Sequence, residues 1–166
     1  MVGHPPCDFL TNSAAWAYSD PNFERYPGVG YHQKVKRGTL TGAARRSARE
    51  ESIEFFQLLL AAPIDRIALE NPIGIISTRI RRPEQIIQPH QFGGDASKGT
   101  CLWLKNLPLL VPTKHIAPRI VNGKPRWANQ TDSGQNKLSP SDNRASVRAI
   151  TYPGIAAAMA EQWGSL

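Results

Sequence analysis

Hydrophobic positions set out the chain's elements. The longest amphipathic pattern runs from Thr41 to Ala62. Ala44, Ala48, Ile53, Phe56, Leu59 and Leu60 follow a helical spacing, and Arg45, Arg46, Arg49, Glu50 and Glu54 fill the other positions. Thr41 is placed to cap this helix and Pro63 to end it. A shorter helical pattern spans Gly154 to Trp163, with Ile155, Ala158, Met159, Gln162 and Trp163 along its apolar side. Between them, Arg66-Ile67-Ala68-Leu69-Glu70 reads as a buried strand stopped by Asn71-Pro72. Ile86-Ile87-Gln88 and Thr100-Cys101-Leu102-Trp103-Leu104 are two more strands, joined through Gln91-Phe92-Gly93-Gly94-Asp95.

Two stretches carry no clear period. In residues 8–40, Tyr18, Tyr26, Tyr31, Pro21, Pro27, Gly28 and Gly30 break any pattern. A loop of that length is a functional lid over a site or a disordered surface segment. Residues 115–143 are polar, with turn signals at Asn122-Gly123 and Ser133-Gly134. A strand entering Pro5-Pro6-Cys7, the helix from Thr41 and the strand ending at Glu70 make a β-α-β unit, whose crossover makes the two strands parallel. The expectation is an α/β fold, with residues 1–166 as a single domain: a small, mostly parallel sheet flanked by two helices.

Composition narrows the setting. No apolar run approaches the ~20 residues a membrane span requires, and no basic segment followed by an apolar stretch opens the chain as a secretory signal would. Two cysteines, Cys7 and Cys101, make no disulfide framework and suggest a reducing, intracellular setting with a free thiol. The net charge of +7 favours a polyanionic partner or serves solubility alone. The basic residues gather at Lys34-Val35-Lys36-Arg37, Arg45-Arg46, Arg79-Ile80-Arg81-Arg82 and Lys124-Pro125-Arg126.

The candidate chemistry lies at two strand ends. Cys7 follows a rigid Pro-Pro step, and Glu70 stands 63 positions later, before Asn71-Pro72. In open α/β sheets ligands gather at the carboxyl ends of strands, so the pair can be neighbours in space. A thiolate is suited to add to carbon 6 of a pyrimidine, and a carboxyl at the ring's Watson–Crick edge can steady the charge this releases. Carbon 5 then accepts an electrophile such as a methyl group. A base in a duplex must be swung out of the stack for such an attack.

These residues resemble the DNA (cytosine-5)-methyltransferases. Gly3-His4-Pro5-Pro6-Cys7 is similar to that family's Pro-Cys motif, and Ile67-Ala68-Leu69-Glu70-Asn71-Pro72 to its Glu-Asn-Val motif, with Pro72 in the valine's place. The chain more specifically resembles phage and prophage cytosine-methyltransferase-like proteins. Segments similar to Gln88-Pro89-His90-Gln91-Phe92-Gly93, Cys101-Leu102-Trp103-Leu104-Lys105 and Tyr152-Pro153-Gly154-Ile155-Ala156-Ala157 recur there in this order. The resemblance implies a truncated Rossmann-like catalytic half in the cytoplasm of a bacterial host. Cys7 would be the nucleophile, Glu70 the ring-stabilising acid, and Asn71 the support of the loop behind it. Arg79, Arg81 and Arg82 would meet DNA, and Pro5, Pro6 and Tyr152 would face S-adenosylmethionine.

The family's opening strand, Gly-rich turn and acidic strand end have no counterpart here. Gly28-Val29-Gly30 lacks a preceding strand and is no nucleotide fingerprint. The chain is then a fragment, or a second chain or oligomer partner supplies the cofactor half, or the fold serves a different use. Two function classes follow: a methyltransferase acting on an extruded cytosine, or a non-catalytic DNA- or protein-binding regulator or inhibitor of host defence. Lys124, Arg126 and Trp127 are further nucleic-acid candidates, Trp127 also reading as a loop anchor. His4 and Cys7 have metal-ligand spacing without a second close pair, and His32, His90, His115 and Cys101 are scattered, so no metal is expected.

Overall fold

A computed structural model describes residues 1–12, 15–19, 38–138 and 144–166. Most of the expected lid, including Gly28-Val29-Gly30, lies outside the described residues. Four strands form the main sheet: β1 (Val2–Gly3), β2 (Ile67–Pro72), β3 (Gln85–Ile87) and β4 (Thr100–Lys105), in the order β1-β2-β4-β3. The helix α1 (Gly42–Ala61) connects β1 to β2, whose strands pair in parallel with Val2 opposite Ala68 and Gly3 opposite Leu69.

The sheet is mixed, which corrects the expectation of a mostly parallel one. β4 runs antiparallel to both β2 and β3. β1, β2 and β3 therefore share a direction, but only β1 and β2 are parallel neighbours. The reason lies in the connection through residues 88–99, which turns back without a crossover helix. Antiparallel neighbours need only such a turn, whereas parallel ones need a long crossover. β2 also continues through Asn71 to Pro72, opposite Thr100, instead of stopping at Glu70. Proline is accommodated there because pairing with β1 has already ended at Leu69, which leaves that side of β2 an edge.

Alternation along β2 divides the core in two. Ile67 and Leu69 face α1, where they meet Ile53 and Phe56 with Leu10, Ile76, Cys101 and Trp103. Phe56 meets Trp103 edge-on at 5.1 Å and 80°, a geometry worth roughly 0.5–1.5 kcal/mol beyond burial. Ala68, with Leu102 and Leu104 of β4, faces the other layer, where α4 (Pro153–Trp163) contributes Ile155, Ala158, Met159 and Trp163. The result is a helix layer on each side of the sheet. Thr41 stands at the N-cap of α1 but makes no capping hydrogen bond through its side chain.

Smaller elements complete the chain. A one-turn helix α2 (Ile76–Arg79) follows β2. The polar stretch 115–143 contains a hairpin of β5 (Arg119–Val121) and β6 (Lys124–Arg126). Its turn is Asn122-Gly123, at φ 49° and 72°, the doubly left-handed geometry that a tight hairpin favours. A short α3 (Arg144–Ala149) precedes α4. No described helix is long and apolar enough to cross a membrane.

Candidate functional site

The parallel pairing of β1 with β2 brings Pro5-Pro6-Cys7 and Glu70-Asn71 to neighbouring strand ends. Two cross-links span the join. His4 Nδ1 lies 3.0 Å from Glu70 Oε2. Asn71, 1% exposed, donates from Nδ2 to the Pro5 carbonyl at 2.9 Å. The chain then turns, with Leu10 and Thr11 N–H groups both donating to the Cys7 carbonyl. Leu10 inserts into the α1-side core, and its carbonyl accepts from Ile75 N–H at 2.8 Å. Gly74 permits that approach, since a Cβ there would fall 2.0 Å from the Leu10 oxygen.

α1 holds the same loop from the other side. Arg45 is only 7% exposed and donates to the carbonyls of Asp8 and Leu40, with its guanidinium 5.1 Å from the Phe9 ring centroid and 4.8 Å from that of Tyr18. Arg49 donates to the Phe9 carbonyl and stacks 3.3 Å from the Tyr18 ring centroid. Arg46 donates to the Tyr18 carbonyl. Helical periodicity places these arginines on the polar side of α1, and that is why their role was missed. Guanidinium groups bury readily against aromatic rings and carbonyls, and Phe9 and Tyr18 were the available signal.

Glu70 is mostly buried, its side chain 16% exposed, and His4 is 43% exposed. The His4 midpoint is raised by its hydrogen bond to Glu70, opposed by partial burial. Glu70 Oε1 accepts no hydrogen bond among the described residues. Burial pushes the Cys7 thiol up, and the Asp8 and Glu70 carboxylates add to the shift, with Lys98 opposing it. Glu70 also acts on Cys101, whose thiol is pushed up to about 11, chiefly by burial. The carboxylate thus lies within electrostatic reach of both thiols. No hydrogen bond joins His4 to Cys7 among the described residues.

Glu70 borders a hollow of about 10 Å³ with Lys98, Thr100, Thr151, Tyr152 and Ile155. That is room for about one water. Lys98 was not foreseen. Its backbone N–H donates to Gln88 Oε1, and its ammonium donates to the Arg148 carbonyl. The segments around Phe92 and Gly154 interlock here. Tyr152 lies against Gly94, and a Cβ at Gly154 would fall 1.7 Å from the Phe92 oxygen.

The basic candidates do not form one free surface. Arg79 makes a two-pronged pair with Glu50 at 3.0 and 2.5 Å. Arg81 pairs with Glu84 and donates to the Leu104 carbonyl. Arg126 donates to the carbonyls of Asp132 and Pro125. Trp127 stacks on His90 at 4.3 Å and 15° and donates to the Ile116 carbonyl, so it anchors its loop. Arg82 and Lys124 are exposed and make no such contact among the described residues.

Of the residues expected to face S-adenosylmethionine, Pro5 is buried with its carbonyl engaged, Pro6 is exposed, and Tyr152 packs onto the α4-side core. A larger hollow, about 320 Å³, lies at the amino ends of β1 and β2 among Met1, Val2, Arg66, Leu107 and Trp163, at the end opposite Cys7 and Glu70. No group of three or more His, Cys, Asp or Glu side chains suited to a metal occurs among the described residues. No family model, curated protein or solved structure matches the chain.

Proposed function

We propose that the chain is a cytosine-reading protein of DNA (cytosine-5)-methyltransferase type, in which an extruded base meets Cys7 and Glu70 once the one-water hollow beside Glu70 opens to admit it. The observation that carries this reading is the double tie between the strand ends, His4 to Glu70 and Asn71 to Pro5. These ties hold the turn that carries Cys7 against the end of β2, where Glu70 stands. Cys7 Sγ would give its proton to solvent and bond to carbon 6, and the displaced C5=C6 electron pair would pass into the ring toward the edge that Glu70 faces. Engagement of Glu70 by the base also shields one of the charges that keep the thiol protonated. S-adenosylmethionine and methyl transfer belong, on this reading, to a complex with a second chain, in a phage-infected or prophage-bearing bacterial cytoplasm.

A second reading keeps the base-binding site without the chemistry, as a regulator or inhibitor of a host defence system. The protonated state favoured for Cys7 supports it. The two readings separate with a single-stranded oligonucleotide carrying 5-azacytosine, whose electron-poor ring adds a thiol at carbon 6 without a methyl donor. Bond formation there sends the N5=C6 electron pair to N5, which takes a proton from solvent. Intact-mass spectrometry should show one protein–oligonucleotide adduct that Cys7→Ser abolishes. Binding without an adduct would leave only the second reading. No binding to any cytosine-bearing strand would end both.

A further inference from the structure

We propose that His4 is the positioning residue that makes this site prefer a 4-amino to a 4-oxo pyrimidine. The inference rests on the cytosine-reading function proposed above and gives His4, so far only a tie between strand ends, a part in choosing the base. Glu70 offers two carboxylate oxygens. One, Oε2, lies 3.0 Å from His4 Nδ1, and the other accepts no hydrogen bond among the described residues. When the imidazole is protonated, Nδ1 must donate, so Oε2 is fixed as an acceptor already in use. Oε1 is then left as an acceptor with a set direction.

An acceptor so placed matches the exocyclic amino group of cytosine and repels the O4 oxygen of uracil or thymine. Without His4, the carboxyl can rotate about its last bond or turn toward Lys98, the other charged group acting on His4. Its discrimination then falls, because a mobile acceptor adjusts to either base. Rejection of the wrong base depends on leaving a buried polar group unpaired, and such rejection needs a fixed partner.

The pH dependence has a definite sign. The His4 midpoint is raised above 6.5, mainly through the Glu70 hydrogen bond. The lock is strongest below 6.5, where His4 is charged, and weakens as pH rises through the higher folded-state midpoint, because the neutral imidazole keeps only an uncharged Nδ1–H donor to Oε2.

The test compares short single-stranded DNAs that differ only in one central dC, dU or abasic position. Fluorescence anisotropy across the His4 titration gives the dC-to-dU affinity ratio. The wild-type ratio should fall as pH rises through the midpoint. His4→Leu should lower the low-pH ratio about tenfold, the loss expected for one misdirected hydrogen bond to a charged group. His4→Asn, which keeps a donor at the same position, should retain the ratio and lose its pH dependence. An NMR titration of wild type and Glu70→Gln should show the His4 midpoint fall in the variant, which verifies the contact independently of DNA. An unchanged ratio in His4→Leu would overturn the inference and leave the cytosine-reading function standing. Equal affinity of the wild type for dC and dU at every pH would overturn both.

Discussion

Asn71 and Pro5 are joined by a buried hydrogen bond, 66 residues apart in sequence, that ties the end of β2 to the loop carrying Cys7. Asn71 Oδ1 is buried and makes no hydrogen bond among the described residues, where the side chain is held through Nδ2. Asn71→Ala would leave the Pro5 carbonyl without its donor in a dry setting. The expected cost is about 1–3 kcal/mol, read as a lower midpoint in denaturant unfolding. Asn71→Asp should be worse, since it sets a second acceptor against that carbonyl. Wild-type stability in both variants would mean that the bond does not organise the loop.

Thiol chemistry gives a direct measure of how close Cys7 and Glu70 lie. Both carboxylates near Cys7, Asp8 and Glu70, raise its midpoint in addition to burial. Iodoacetamide labelling followed by peptide mass spectrometry should therefore show Cys7 reacting slowly at neutral pH and faster as pH passes 9.0, the ordinary thiol value. Glu70→Gln removes one of those charges and should shift the Cys7 profile to lower pH. Cys101 is 1% exposed with its thiol pushed up to about 11, so it should react only as the protein unfolds. A Cys7 profile unmoved by Glu70→Gln would separate the two groups in space and remove the basis of the proposed function.

Local patterns reached most of the fold and only part of the site. The α1 and α4 helices and the strands through Leu69, Ile87 and Trp103 were legible, because period and turn residues agree along each of them. The direction of β4 was not, because an apolar run such as Thr100–Leu104 reads alike in parallel and antiparallel sheets. The parallel pairing of β1 with β2 was legible from the β-α-β order, although Val2–Gly3 is too short to carry a period of its own. The site residues missed by sequence share one trait. His4, Arg45 and Lys98 owe their roles to partners 66, 37 and 50 positions away, respectively Glu70, Asp8 and Arg148. No local window contains both members of such a pair.

Arg45 illustrates the energetic side of that gap. A nearly buried guanidinium between Phe9 and Tyr18, donating to two backbone carbonyls, links α1 to the loop after Cys7. Arg45→Met keeps the apolar stem and removes the donors. It should cost about 1.5–3 kcal/mol, the range for hydrogen bonds from a charged group. Hydrogen exchange should speed up at Phe9–Leu10 more than in β4. Uniform exchange changes throughout the chain would instead indicate general destabilisation with no special tie to the loop.

Gly74 tests the same loop through sterics alone. Its Cα approaches Leu10 so closely that a methyl group would sit 2.0 Å from the carbonyl oxygen, 2.9 Å from its carbon and 3.0 Å from Thr11 Cα. All three are backbone atoms, so no side-chain rotation relieves the clash. Either the Leu10 turn lifts from β2 or the Ile75-to-Leu10 hydrogen bond breaks. Gly74→Ala should therefore destabilise by about 1–3 kcal/mol, the usual penalty for forcing extra volume into a packed site. It should also release the Cys7 loop, so that iodoacetamide reaches Cys7 faster at any given pH. A glycine with open space around it supplies the control: Gly123 lies in the Asn122-Gly123 turn at positive φ, with nothing within 4 Å of an added Cβ. Gly123→Ala strains only its own hairpin and should leave Cys7 labelling unchanged. Equal acceleration in both variants would show that Cys7 reactivity follows overall stability and not the seat of Leu10 against Gly74.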